Sequence, residues 1–337
     1  MILGFFCFGS TTIGMGHVSR CIGLANAAQS RIPDLHVVFE VDDDPDALAM
    51  LARRRPGDEI RPRTTAALPQ GPWDILVVDR LAVPAEDMAT LRGRASCLVS
   101  IDDVGPGHWE ADIAVNCLYG CRTPRPPHSR TDDLSGIRWA LLPPALWEQV
   151  HEHRPRPTRL LLAQGSGDPH GLLPRLVEIL APVAKVRPGL GLDILTGPSF
   201  HRHEPLDTML ARAEIPFRRH HAVPSSWSVL AAADVAVSSA GITACELAAL
   251  GVPMVLVTGE SKEVETARML DDLGAATAVG LFEPERTAAL TAAVIELLDS
   301  EQKRHAMGEA GRQAVERHAA EIILDRAIAL ARSGRDM

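Results

Sequence analysis

Ile2-Leu3-Gly4-Phe5-Phe6-Cys7-Phe8-Gly9-Ser10-Thr11-Thr12-Ile13-Gly14-Met15-Gly16-His17-Val18-Ser19-Arg20 runs from an unbroken apolar segment through a glycine-rich turn into residues with helical spacing. An apolar run bounded by turn residues predicts a strand from Ile2 to Phe8, buried on both faces as in a parallel sheet. From Val18 to Ala28 the apolar positions recur at helical intervals, so the turn joins that strand to a helix. The same alternation continues along the chain. Strands are predicted at His36 to Val41, Trp73 to Asp79, Cys97 to Ile101 and Ala111 to Asn116, with a second helix at Asp44 to Arg53. Such alternation is the pattern of βαβ units.

Around Glu148 to Thr158 the pattern stops, in a polar stretch twice interrupted by proline, and an interdomain linker is expected there. Beyond it, strands are predicted at Arg159 to Ala163, Leu192 to Thr196, Phe217 to Val223, Val235 to Ser238 and Met254 to Thr258. Helices are predicted near Leu172 to Val186, Trp227 to Ala233 and Ile242 to Leu250. The expected fold class is α/β with two Rossmann-like domains, residues 1–150 and 158–315. A C-terminal helix in 316–337 is expected to be able to pack back on the first domain.

With 337 residues, 46% of them hydrophobic, 23% charged and 4% aromatic, the chain is large enough for two cores of helices packed on buried strands. A formal charge of −9 argues against nucleic acid or an anionic membrane surface as the main partner. No apolar run reaches the length of a membrane span, and the opening segment lacks the flank and cleavage site of a signal peptide. The six cysteines, Cys7, Cys21, Cys97, Cys117, Cys121 and Cys245, lie mostly in apolar segments and form no CxxC pair, which suits core thiols. A cytoplasmic protein is expected.

Parallel α/β sheets bind ligands beyond the carboxyl ends of their strands, which directs attention to three loops. In Gly9 to Arg20 the glycines allow a tight turn and close approach to a ligand, and His17 falls at a helix start where an imidazole can act as general base. The blander role is a turn whose histidine merely caps the helix. In Ser238-Ser239-Ala240-Gly241-Ile242-Thr243-Ala244-Cys245-Glu246, small residues expose amides at a positive helix end, suited to a diphosphate. Glu246 could accept from ribose hydroxyls, or simply be a favourable acid near a helix start. Gln164-Gly165-Ser166-Gly167-Asp168-Pro169 could wrap a phosphate or sugar, or be an ordinary turn. Asp102 and Asp103 could touch a sugar or cap the next element. His201-Arg202-His203 and His220-His221 are read as solvated loops, because no known ligand spacing completes a metal set. No metal site is expected. GxSxG, HExxH and Walker A motifs are absent.

GxGHxxR at Gly14 to Arg20, Asp79 after a strand, Ile101-Asp102-Asp103, Ala111 to Asn116, Gln164 to Pro169, and Ser238 to Pro253 together resemble a known family. They are similar, in order and spacing over nearly the whole chain, to the UDP-sugar hydrolase of the pseudaminic acid pathway and its spore-coat polysaccharide relatives. The resemblance implies a GT-B fold, with the two domains facing across a cleft, akin to the lipid II-forming glycosyltransferase. It further implies removal of UDP from a diacetamido-trideoxyhexose, with inversion and without cofactor or metal. His17 would be the base for water. Ser239, Ala240, Gly241, Ile242, Thr243 and Glu246 would hold the nucleotide, and Gly14, Gly16, Arg20, Asp79, Asp102, Asn116, Gly165 and Ser166 are the candidate substrate contacts.

Two departures fall near the presumed sugar: Ser261-Lys262-Glu263 where an Asn-Gln pair is usual, and Leu81 where a tyrosine is common. The expected function is therefore a nucleotide-sugar hydrolase whose partner is its substrate. The alternatives are an inverting glycosyltransferase with the same donor site and a nucleotide-sugar-binding subunit without turnover. Neither the sugar nor the oligomeric state is legible.

Overall fold

A computed structural model of the protein describes residues 1–9, 15–64, 67–118 and 123–333. The chain divides into two compact units, one of Met1–Pro143 with His318–Met337 and one of Pro144–Arg317.

The first unit carries a seven-stranded sheet. Its strands are β1 (Ile2–Cys7), β2 (His36–Asp42), β3 (Glu59–Arg63), β4 (Trp73–Asp79), β5 (Ala95–Ile101), β6 (Ile113–Asn116) and β7 (Asp132–Ser135). They lie in the order β3-β2-β1-β4-β5-β6-β7, all parallel. Helices α1 (Gly16–Gln29), α2 (Pro45–Arg54) and α3 (Ala85–Arg92) connect the early strands. The six-residue run of β1 is almost wholly buried, because both faces of the sheet are covered. Helix α2 starts where the Asp44 carboxylate accepts from the Asp46 and Ala47 amides at 3.0 and 3.1 Å, with Pro45 in its first turn. One face of the sheet packs Phe5, Phe39, Val77 and Val99 against α1 and α2. The other face packs Leu76, Val78 and Leu98 against Met88 and Leu91 of α3.

The second unit holds β8 (Arg159–Ala163), β9 (Gly191–Thr196), β10 (Phe217–His221), β11 (Val235–Ser238), β12 (Met254–Thr258) and β13 (Thr277–Leu281), ordered β10-β9-β8-β11-β12-β13. Its helices are α4 (Leu172–Lys185), α5 (His203–Ala213), α6 (Trp227–Ala231), α7 (Ile242–Leu250), α8 (Glu263–Asp272), α9 (Thr287–Asp299) and α10 (Glu301–Ala314). Leu160, Leu162, Val235, Val237, Val255 and Val257 form one core with α4, α5 and α9.

The last helix, α11 (Ala319–Ser333), belongs to the first unit and buries Ile323, Leu324, Ala327, Ile328 and Ala331 in its core. The unit boundary stands at Pro143, ahead of the polar segment 148–158. That segment is tied into the second unit. The His151 ring bonds the Ala231 carbonyl, Arg154 pairs with Asp234, and the buried Arg304 guanidinium donates to the carbonyls of Arg154 and Pro155 as well as of Leu297 and Leu298. No helix among the described residues is long and apolar enough to cross a membrane. The five described cysteines are all buried, and Cys121 lies outside the described residues.

Candidate active site

Both sheets reverse their strand order at one place, between β1 and β4 in the first unit and between β8 and β11 in the second. Such reversals open a crevice at the carboxyl ends of the strands.

In the first unit, Gly9 lies two residues past β1, where any Cβ would fall 2.7 to 2.9 Å from Val41, Ala47 and Val18, so the chain can pass there only with glycine. Gly14 lies outside the described residues, and Gly16 opens α1 at the surface. His17 follows, and its Nδ1 meets Oδ1 of Asp79, the last residue of β4, at 2.6 Å. Arg20, one turn on, donates from Nε to Asp79 Oδ2 and from Nη2 to Asp79 Oδ1, both at 2.5 Å, and from Nη1 to Asp102 after β5. Asp79 and Asp102 are fully buried. Burial alone would push the Asp79 carboxyl up. The charge and hydrogen bonds of Arg20, with the bond from His17, override it and hold the carboxyl down at about 2. Burial likewise opposes the Arg20 charge, and Asp79 and Asp102 overcome that opposition, so the guanidinium holds its proton well above the ordinary arginine value. With Nδ1 donating to a carboxylate, the His17 Nε2 lone pair is the one available to accept a proton.

Other predicted residues of this unit serve the frame. Asp102 also accepts from the amides of Cys117 and Leu118 at 2.9 and 3.3 Å. Asp103 accepts from Val83 and Gly105, fixing the loop after β4, and Asn116 donates to the Asp103 carbonyl at 3.2 Å. The ring of Phe8 stands edge-on to His17 at 5.8 Å and carries the Arg80 guanidinium at 3.9 Å on its face. Neither Phe8 nor Arg80 was singled out by sequence motif.

In the second unit, Ser239 and Ala240 lead from β11 into α7, with Gly241 as the residue before the helix and no side chain capping its first amides. Ile242 and Thr243 form the first turn, so the positive end of α7 is open to an anion. Glu246 lies in the next turn and accepts from Trp227 Nε1 at 3.0 Å; burial pushes its carboxyl up to about 7. Beside this turn the structure gathers three buried polar atoms with no partner among the described residues: Gln164 Nε2 after β8, Ser238 Oγ at the end of β11 and Thr258 Oγ1 at the end of β12. Buried polar atoms left unpaired at adjacent strand ends are positioned for water or a polar ligand. Glu263, the first residue of α8, brings its carboxylate Oε1 to 4.0 Å from where a Cβ on Gly241 would stand. Burial and then Glu260 push that carboxyl up to about 7. The segment that departs from the family pattern therefore adjoins the open helix end.

Gly165 and Ser166 are exposed in the loop after β8, while Asp168 turns inward and caps α4, accepting from Leu172 and Leu173 at 2.7 and 3.0 Å. The two histidine clusters differ from the expected solvated loops. His220 and His221 belong to the edge strand β10 and His203 starts α5, its ring against that of His221 at 4.8 Å. Leu81 follows Arg80 and accepts through its carbonyl from the Val104 amide at 2.9 Å.

No family model matches the sequence. Among curated proteins, it is 22% identical over 268 residues to an uncharacterized protein of Methanocaldococcus jannaschii, a span covering 74% of this chain and 54% of that one. It is 22% identical over 298 residues to the spore coat polysaccharide biosynthesis protein SpsG of Bacillus subtilis, covering 85% and 86%. Solved structures with the same fold include MurG of Acinetobacter baumannii, with a TM-score of 0.64 and 17% identity over 97% of this chain and 98% of that one. Another is the calicheamicin glycosyltransferase CalG4, with a TM-score of 0.61 and 14% identity over 97% and 98%. The chain has the GT-B fold of those neighbours, with parallel sheets of seven and six strands.

Proposed function

We propose that the protein is a nucleotide-sugar enzyme that transfers a glycosyl group with inversion. The observation that carries this reading is the His17–Asp79 pair at the first reversal, a histidine oriented by a buried carboxylate with one nitrogen left to act. His17 Nε2 takes the proton of an acceptor hydroxyl as its oxygen bonds to C1 of the sugar. The bond from C1 to the diphosphate breaks, and its electron pair leaves on the phosphate oxygen; an open helix end such as that of α7, near Gly241, Ile242 and Thr243, is suited to such a diphosphate. Arg20 and Asp102 hold Asp79 in position, Asn116 supports that frame through the Asp103 carbonyl, and Gly16 in the first unit and Gly165 and Ser166 in the second are candidate sugar contacts. Ser239, Ala240 and Glu246 meet the nucleoside, UDP being the first candidate. Nucleotide sugars are cytoplasmic metabolites, and the buried Cys7, Cys21 and Cys97 thiols suit that compartment.

A hydrolase, with water in place of the acceptor, is the second reading. It is favoured by the surface of the first unit, where Leu330 is the only large hydrophobic exposed among the described residues. An enzyme that takes a lipid acceptor would be expected to show a broader apolar patch. A subunit that binds without turnover is disfavoured by the intact His17–Asp79–Arg20 set.

The test is UDP release from candidate UDP-sugars, with and without acceptor alcohols. Release that needs an acceptor supports transfer, and full release in water alone supports hydrolysis. His17→Ala should abolish turnover and leave UDP affinity within about threefold, since the base touches only the reacting proton. A wild-type rate in that variant would overturn the assignment.

A further inference from the structure

The second unit contains a cavity of about 470 Å³ at the opposite end of α7 from the Gly241 turn, walled by the 146–151 segment, the C-terminal end of α7 and the 312–317 segment after and within α10. That volume lies in the range of about 300–1,000 Å³ typical of small-molecule sites. Its wall has two characters. Trp147, Val150 and Leu250 offer an apolar surface, and Val150 stays 77% exposed, an uncommon state for a side chain of its type. Arg312 and Arg317 supply charge, and no acidic side chain lines the cavity among the described residues.

The two guanidiniums are positioned by the fold. Arg317 lies over the Trp147 ring at 5.9 Å. Arg312 occupies the space above Gly251 that a Cβ would fill, and Gly251 has φ +74°, a conformation that itself favours glycine. The Gly251 and Val252 amides bond the Ala248 and Leu247 carbonyls near the end of α7. Its one ion pair, with Glu309, is a long 3.8 Å. At the inner wall His151 spends Nδ1 on the Ala231 carbonyl, and its Nε2 is buried without a partner among the described residues.

We propose that this cavity binds an amphipathic anion, a phosphate or carboxylate head on a short apolar body, with Arg312 and Arg317 on the head and Trp147, Val150 and Leu250 around the body. The chemistry follows from the wall: both arginines are solvent-exposed at its rim, where guanidiniums can pair with a planar or tetrahedral anion, and the apolar remainder rewards a hydrocarbon. The location gives the site a regulatory use. Segment 146–151 follows the place where the chain leaves the first unit, and 312–317 precedes the place where it returns. An occupant therefore ties the two crossing segments to one another. The inference stands apart from the glycosyl-transfer reading, because none of these residues takes part in it.

The probe is n-decyl phosphate below its micellar concentration, titrated calorimetrically into the full chain. One saturable site is expected, and inorganic phosphate and n-decanol should each bind at least about tenfold more weakly, as should decyl phosphate to R312Q/R317Q. Leu250→Trp, which fills the apolar wall while sparing both arginines, should also weaken it by about tenfold or more, with thermal melts showing that both variants fold. His17→Ala should bind the probe as the wild type does, so this result and that of the turnover assay are separable. Absence of saturation, equal affinity for phosphate alone or for decanol, or unchanged affinity in folded R312Q/R317Q or Leu250→Trp would overturn the proposal.

Discussion

Replacing Asp79 by asparagine keeps the shape of the side chain and removes the charge on which His17 and Arg20 converge. A carboxyl held at about 2, against about 4 in an unfolded chain, contributes about 2–3 kcal/mol to folding at neutral pH. The sign follows from the depressed value: this stability is present above about pH 4 and is lost as pH falls toward 2. In the variant Arg20 keeps Asp102 as a partner, so the loss should sit near the low end of what removing one member of a buried ion pair costs, about 3 kcal/mol. For a unit of this size that is a fall in Tm of roughly 6–12 °C. The effect on turnover should be larger. If the asparagine carbonyl stays with Arg20, its amide must face His17 Nδ1, which forces the proton onto Nε2 and takes away the acceptor the reaction needs. By analogy with other buried Asp–His pairs the loss is about 10³- to 10⁴-fold in kcat. Denaturant unfolding and UDP release measure the two effects separately. A variant that keeps both its unfolding midpoint and its kcat would refute the role given to the pair.

Three further outcomes follow from the geometry. Burial raises the Glu246 carboxyl to about 7, so the folded state keeps a proton that the unfolded chain has shed; the associated stability is present below the ordinary glutamate value and is lost as pH rises through about 7. Glu246→Gln should therefore raise Tm at pH 8 and leave it nearly unchanged at pH 4, read by parallel thermal melts. Asp168→Ala removes the cap on α4 and should cost about 1 kcal/mol in urea unfolding while UDP affinity is retained. Arg304→Met orphans four carbonyls around a side chain 2% exposed and should cost about 2–4 kcal/mol, seen as a lower denaturant midpoint at unchanged slope.

Most of the strands that could be read from sequence are buried on both sides, the edge strand β10 being an exception. Strands β1, β4, β8, β11 and β12 sit in the interior of their sheets and are written as apolar runs. Those that escaped, β3 (Glu-Ile-Arg-Pro-Arg), β7 (Asp-Asp-Leu-Ser) and β13, are edge strands, half-exposed and free of the need for such runs. The missed helices α3, α5 and α8 bury only two or three residues each, as does α2, which was read. At the candidate site, the glycine loops and His17 were legible because strand–turn–helix grammar marks them. The partnership of His17 with Asp79, 62 positions away, was not, since only the parallel pairing of β1 with β4 brings them together. Ser238 and Thr258 carried a faint signal as polar ends of apolar strands. The unit boundary was displaced because Pro143 is unremarkable in sequence, whereas the polar stretch after it is anchored by Asp234 and Arg304 from far along the chain.

Because α11 completes the core of the first unit, that unit is split in sequence while the second is continuous. During synthesis at about 5–20 residues per second, the ribosome delivers the helix on the order of ten seconds or more after the strands it covers. Throughout that interval the sheet lacks the side chains of Ile323, Leu324, Ala327, Ile328 and Ala331. The uninterrupted unit can mature in the meantime, and the earlier-made one must wait for it. Nascent chains stalled before residue 319 should accordingly be chaperone clients, and a stop codon there should yield aggregate rather than a shortened native protein.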